Sequence, residues 1–391
     1  MTPPDLPDLL GIRIEFLLFG LTLAGVALLH ARSFEVAVAG LVAIVAYKLA
    51  FDPAFAPTQH LVHEAPVLVN LLGLLLGFAV LARHFEQSGA PEALPRWLPN
   101  GVAGAFALLA IVFVLSAFLD NIAAAMIGGT LALHVFKRRV DVGYLAAIVA
   151  ASNAGGAGSV IGDTTTTMMW IEGVPWDCVL RAYGAAIPAL LVFGFFAARQ
   201  QHAHQPIVAV VAAATVDARR LGAVALILVG AIAANVLIGF PAAGVWLAIL
   251  ACAPFLRTDW LVLRSSLKGS LFLLALVMSA SLMPVDALPA ASWQTAFGLG
   301  FLSAVFDNIP LTKLALDQGG YDWGMLAYTI GFGGSMLWFG SSAGVAVANL
   351  FPQARSVGGW VRRGWHIPLA YTIGFAVMLL TLGWHPFEVP H

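Results

Sequence analysis

Three aspartates interrupt long apolar stretches of this sequence, each beside amides or hydroxyls: Asp120-Asn121, Asp163 followed by Thr164 to Thr167, and Asp307-Asn308. Asn153, Ser303, Ser341 and Ser342 stand in similar apolar surroundings. Apart from the amide nitrogens these groups offer hard oxygen donors, a set suited to a small hard cation such as sodium. Protons and cations compete for a carboxylate. A carboxylate exposed alternately to two solutions can therefore exchange one for the other.

The elements that must hold these groups are membrane helices. Of 391 residues, 60% are hydrophobic and 10% charged, and apolar runs long enough to cross a bilayer recur along the chain. The fold expected is all-α and polytopic, with about ten transmembrane helices and two re-entrant hairpins. The first apolar run, 16–31, has no small-residue cleavage site and reads as a spanning helix. A net charge of −1 indicates no nucleic-acid or polyanion partner. Cys178 and Cys252 fall in different spans and read as packing residues, and no cofactor is implied.

The predicted spans are 14–31, 34–51, 64–83, 142–172, 176–198, 221–239, 241–256, 269–285, 322–352 and 366–384. The stretch 101–136 has 36 residues, roughly 54 Å as one helix against a hydrocarbon core of about 30 Å. Arg96 precedes it and Lys137, Arg138 and Arg139 follow, so both of its ends are assigned to the cytoplasm. It reads as a hairpin. The stretch 290–318 is flanked by Asp286, Asp317 and Asp322, and reads as a second hairpin from the other side. Of 19 Lys and Arg, only Arg13, Lys48, Arg181 and Lys313 fall outside the cytoplasmic loops of this frame. Both termini are then external.

The frame predicts an inverted repeat, 1–200 and 221–391, joined by a cytoplasmic linker 201–220 that reads as a solvated loop leading to an interfacial helix. Each half has three spans, a hairpin, a broken span (142–172 and 322–352) and a last span. Leu115 to Ile122, LSAFLDNI, recurs as LSAVFDNI at Leu302 to Ile309, with six of eight residues identical at an offset of 187. Gly155-Gly156 and Gly162-Asp163-Thr164 recur at an offset of 178 as Gly333-Gly334 and Gly340-Ser341-Ser342. Small residues alone would suit helix packing, which has no use for a buried Asp-Asn pair. Paired broken helices at the midplane are the architecture of secondary transporters.

Other matches have plainer readings. Gly340 to Gly344 fits G-x-S-x-G, a motif that needs a strand-to-helix turn absent from a membrane span. His60, His63 and Glu64 read as an external interfacial loop. Lys313 can snorkel, pair with Asp317 one turn on, or serve as a counter-ion for Asp307.

The segments SNAGGAGSVIGDTTTTMMWIEG, LSAVFDNIPL and LAYTIGFGGSMLWFGSSAGVAV resemble the NhaD family of sodium/proton antiporters, within the ion transporter superfamily that also holds citrate, dicarboxylate and arsenite carriers. The likeness covers roughly 101–175 and 296–350. It implies a dimeric carrier of the bacterial inner membrane that moves its hairpin domain like an elevator against a scaffold. Its partners would be membrane lipid, small inorganic cations and protons. It implies an ion- and proton-binding set of Asp120, Asn121, Asn153, Asp163, Thr165, Thr166, Ser303, Asp307, Asn308, Ser341 and Ser342, with sodium at Asp120, Asn121, Asp163, Asp307 and Asn308. Lys313 and the segment 82–89 depart from the family pattern.

Exchange of sodium or lithium for protons is the expected function, and carriage of an anion such as citrate, a dicarboxylate or arsenite is the alternative. A two-aspartate membrane protease ranks last, because Val160 stands where its first Gly would be. The protein is read as a transporter, not an enzyme.

Overall fold

The computed structural model describes residues 8–9, 12–29, 32–207 and 215–388. The expected positions of the two chain ends, the end of the first span at 30–31 and the linker residues 208–214 lie outside the described residues.

A short hairpin, Asp8–Leu9 against Ile12–Arg13, leads into α1 (Ile14–Leu28), α2 (Ser33–Phe51) and α3 (Pro57–Glu86). A short α4 (Ala90–Ala93) then precedes α5 (Gly101–Ser116) and α6 (Asn121–Val135). Next come α7 (Val142–Ala157), α8 (Thr164–Ile171), α9 (Trp176–Leu180) and α10 (Tyr183–His204). The same order then runs again. Three helices, α11 (Ala218–Ile238), α12 (Pro241–Cys252) and α13 (Leu261–Ser281), precede the pair α14 (Trp293–Ser303) and α15 (Asn308–Gln318). The pairs α16 (Trp323–Gly333) with α17 (Ser342–Leu350), and α18 (Val357–Arg363) with α19 (His366–Leu382), close the chain.

Among the described residues, α2, α3, the α9–α10 run, α11 and α13 are each long and apolar enough to cross a bilayer, and α18 and α19 make a further span bent by 56°. Large apolar side chains face outward, Phe255 at 84% and Leu380 at 85% exposure. Water would penalise that surface and lipid does not. The protein is an all-α polytopic membrane protein.

The halves of the two breaks lie at its centre. Every residue of α7 from Gly143 to Ala157 and every residue of α16 is buried, and the two helices pack on each other. A helix apolar on all sides belongs in such a core. Matched ion pairs fix their starts. Asp141 caps α7 and pairs with Arg363 at the end of α18; Asp322 caps α16 and pairs with Arg181 after α9, N to O 3.3 Å. Around this core α5 packs on α7, α14 on α16, and α10 on α19. A separate apolar cluster joins α1 and α2 to α13, while α3 packs on α11, α12 and α13.

Two local expectations change. His60, His63 and Glu64 sit within α3, not in a loop, because Pro57 occupies the first turn, where a proline costs nothing. The His60 ring bonds Ser281 at 2.9 Å. The linker also starts later than the expected residue 201. α10 continues to His204, and buried Gln201 accepts from the Asp141 backbone N–H at 2.8 Å and donates to the Arg139 carbonyl at 3.0 Å. The four basic residues that fall outside the loops expected to be cytoplasmic each meet a carboxylate: Arg13 with Glu15, Lys48 with Asp52, Arg181 with Asp322, and Lys313 with three.

Candidate ion-binding site

Two tips and two breaks converge at the middle of the molecule. Asp120 and Asp307 are the N-caps of α6 and α15 and share one backbone geometry, φ −51°, ψ 141° and φ −55°, ψ 140°. Each carboxylate accepts the N–H two residues on, from Ile122 at 3.4 Å and from Ile309 at 3.1 Å. Asp163 and Ser341 are the N-caps of α8 and α17, again with one geometry, φ −145°, ψ 145° and φ −141°, ψ 153°. Here the side chains diverge. Ser341 Oγ accepts from the Gly344 N–H at 3.3 Å, whereas Asp163 leaves its helix without a side-chain cap.

The freed Asp163 carboxylate turns into a buried chain of amides. Asn121 Nδ2 donates to Asp163 Oδ1 at 3.0 Å and to Asn153 Oδ1 at 3.1 Å. Asn153 Nδ2 donates in turn to Ser335 Oγ at 3.0 Å and Ser341 Oγ at 3.1 Å, so the chain crosses from one half to the other. Asp163 Oδ2 and Thr165 Oγ1 are buried and make no hydrogen bond within 3.5 Å, although Thr165 stands close enough to Asp163 to interact with its carboxylate. An unsatisfied buried oxygen is costly, and a cation or proton on Oδ2 would relieve that cost. Gly331, which matches Asn153 at the offset of 178, leaves room beside that oxygen: a Cβ there would lie 3.5 Å from Oδ2.

Glycine makes the crossing of tip and break possible. A Cβ at Gly155 would collide with the Phe113 carbonyl of α5, and one at Gly333 with the Gly300 carbonyl of α14. Those contacts are matched as well, since 113 and 300 differ by the tip offset of 187.

Two cavities open onto the carboxylates. One of about 250 Å³ is lined by Asp120, Asp163, Thr164, Thr167 and Ser342, with α3 from Leu71 to Ala82 and α13 from Ser265 to Leu273 as its far wall. The other, about 220 Å³, is lined by Asp307, Ser341 and Ser342 and by the end of α1. Phe272 and Ser342 border both. Among the described residues, neither cavity has a Lys or Arg in its lining.

The family model described as citrate transporter, CitMHS, matches residues 19–333, well over half of the chain and including both tips and the first break. The chain belongs to the citrate transporter family. Two relatives in Arabidopsis thaliana agree with it. Sodium/proton antiporter 1 is 26% identical over 435 aligned positions, covering 96% of this chain and 73% of its own length. Sodium/proton antiporter 2 is 26% identical over 303, covering 64% of this chain and 72% of its own length. The chain is therefore a member of a membrane transporter family, and the expected superfamily is the one found.

In this citrate-transporter-family chain the expected site residues divide into groups. Asn121, Asn153, Asp163 and Ser341 are joined by hydrogen bonds, and Asp120, Asp307 and Ser342 face the cavities. Asn308 is buried in the first turn of α15 and Thr165 in the first turn of α8. Two hydroxyls are spent on backbone. Thr166 lies 2.6 Å from the Ser159 carbonyl, and Ser303 donates to the Ile330 carbonyl at 2.7 Å. Lys313 meets Glu64, Glu172 and Asp317 at 3.1, 3.0 and 2.9 Å, so the pairing with Asp317 holds and no ion pair joins it to Asp307. Sequence reasoning missed Ser335, although it is a hydroxyl inside the second glycine break, and the α13 wall of Ser265, Ser266, Ser270 and Phe272, for which the sequence carries no motif.

Proposed function

We propose that this transporter exchanges sodium or lithium for protons at Asp163, with Asp120, Asn121, Asp307 and Asn308 as further ion ligands, by alternating access in an inverted repeat. The observation that carries the reading is the uncapped Asp163 carboxylate, held on one oxygen by Asn121 and left without a hydrogen bond on the other. Sodium and a proton would satisfy that oxygen in turn, and each excludes the other.

The name of the family favours a second reading, an anion carrier such as one for citrate. Helix N-termini are natural anion sites. Here three of the four that meet at the centre already hold side chains of the chain itself, those of Asp120, Asp307 and Ser341. No cation lines the cavities, and Lys313 is committed to three carboxylates. The names of both Arabidopsis relatives also favour the cation.

The two hairpins, α5–α6 and α14–α15, are proposed to be re-entrant and to move with α7, α8, α16 and α17 against a scaffold that contains α3 and α13, as in an elevator. The protein would sit in a bacterial inner membrane as a homodimer. The larger cavity reaches Ala82 of α3, next to Arg83, and Ser265 and Gly269 of α13, next to Arg264 and Lys268, and the smaller reaches Ser33, next to Arg32; these basic residues mark the face assigned to the cytoplasm, which supports an inward-open state. The test is proton flux in reconstituted vesicles on addition of sodium, lithium, potassium or citrate. Sodium or lithium should drive protons across the membrane. Accumulation of citrate with no cation-driven proton flux would overturn the proposal.

A further inference from the structure

On the other side of the proposed site lies a second charged group that the exchange reaction does not use. The ammonium of Lys313, on α15, touches three carboxylates: Asp317 on its own helix, Glu172 at the end of α8, and Glu64 on α3. The side chains of Lys313 and Glu64 are 4% and 7% exposed. The four groups line a cavity of about 390 Å³. α8 and α15 pack on each other, and each also packs on a helix of the proposed scaffold, α8 on α3 and α15 on α13; of the three ion pairs of Lys313, the one to Glu64 is the one that crosses to α3.

We infer that the Lys313–Glu64 ion pair is a latch that keeps the pathway closed on the face opposite the basic loops. The inference rests on the proposed movement of the hairpins past α3. α3 lines the larger cavity only from Leu71 onward. Glu64 lies seven residues before that point, about 10 Å along the helix, beyond the closed end of the cavity. A buried ion pair that must part during motion adds a barrier and favours the state in which it is made. Lys313 has three N–H donors and three carboxylates within ion-pair distance, of which Glu172 accepts a hydrogen bond and Glu64 Oε2 accepts none. On release from Glu64 it keeps Glu172 and Asp317, so the ammonium is never stranded. The latch can therefore open at the expense of one ion pair, and Glu64 emerges into a cavity able to hold water.

Access to the larger cavity tests this without any transported ion. Ser270→Cys, at a buried position of the cavity wall and in a background with Cys178→Ser and Cys252→Ser, reports to a membrane-impermeant maleimide applied on the basic-loop face of oriented vesicles. Glu64→Gln should slow this labelling about fivefold by shifting the population away from the inward-open state. Asp317→Asn, which removes a bond within the moving unit, should leave it unchanged. Labelling of Glu64→Gln at the parent rate, or equal slowing by both variants, would overturn the latch. Should Glu64→Gln fail to give monodisperse protein, Glu64→Asp, which retracts the carboxylate by one methylene, is scored by the same criterion. Sodium-driven proton flux of the unmodified chain, measured alongside, fails only if the proposed exchange is wrong.

Discussion

The two breaks of this transporter share a backbone and differ in chemistry. Asp163 and Ser341 adopt nearly the same φ and ψ at the start of α8 and α17. Gly155 and Gly333 admit the Phe113 and Gly300 carbonyls in the same way. Yet Ser341 satisfies its own helix, while Asp163 leaves α8 uncapped and offers an oxygen to the interior. Where the first half has Asn153, the second has Gly331, against that oxygen. Packing is duplicated and the carboxylate is not. The second break supplies a neutral anchor, Ser341, and a space, Gly331, for a carboxylate that only the first possesses.

The largest effects should come from what the halves share. Gly155→Ala and Gly333→Ala each force a methyl into a carbonyl, at a cost of about 3 kcal/mol or more. Both should sharply reduce monodisperse protein on gel filtration; sensitivity in only one half would break the structural equivalence. Next comes the chemical difference. Asp163→Asn should lower sodium-driven proton flux at least about 100-fold in reconstituted vesicles, and Ser341→Ala less than about tenfold. Comparable losses in the two variants would mean that the breaks act alike. Gly331→Ala should fold, since its nearest contacts at 3.5 Å are ordinary. Its methyl beside Asp163 Oδ2 should weaken apparent sodium affinity by about threefold to tenfold, read from the sodium dependence of flux. The smallest effect is thermal. Loss of the Ser341 cap should cost about 1 kcal/mol, a fall in melting temperature of a few degrees for folded protein in detergent.

Much of this was legible in the chain because membrane helices announce themselves. Apolar length, the basic loops and the glycine breaks placed nearly all the elements. The repeated LSAFLDNI and LSAVFDNI segments and the matched Gly-Gly breaks placed Asp120, Asp163, Asp307 and Ser341. What stayed hidden depends on contacts between distant segments. Glu64 lies 249 residues from Lys313 by their numbers, and Glu172 141 residues. No local pattern brings either to it. His60 to Glu64 looked like a loop because polar residues and Pro66 interrupt the apolar run, yet the helix continues through them. Thr166 and Ser303 bring hydroxyls to a break and a tip, but nearby carbonyls take them.

The central claim, that Asp163 is the carboxylate at which a proton leaves as sodium binds, can be tested without transport. Sodium is added to purified protein in detergent, and the protons released are counted by calorimetry in buffers of different ionisation enthalpy. Sodium should bind with release of protons in the unmodified chain and in Ser341→Ala, and release none in folded Asp163→Asn. Undiminished proton release from Asp163→Asn would contradict the account.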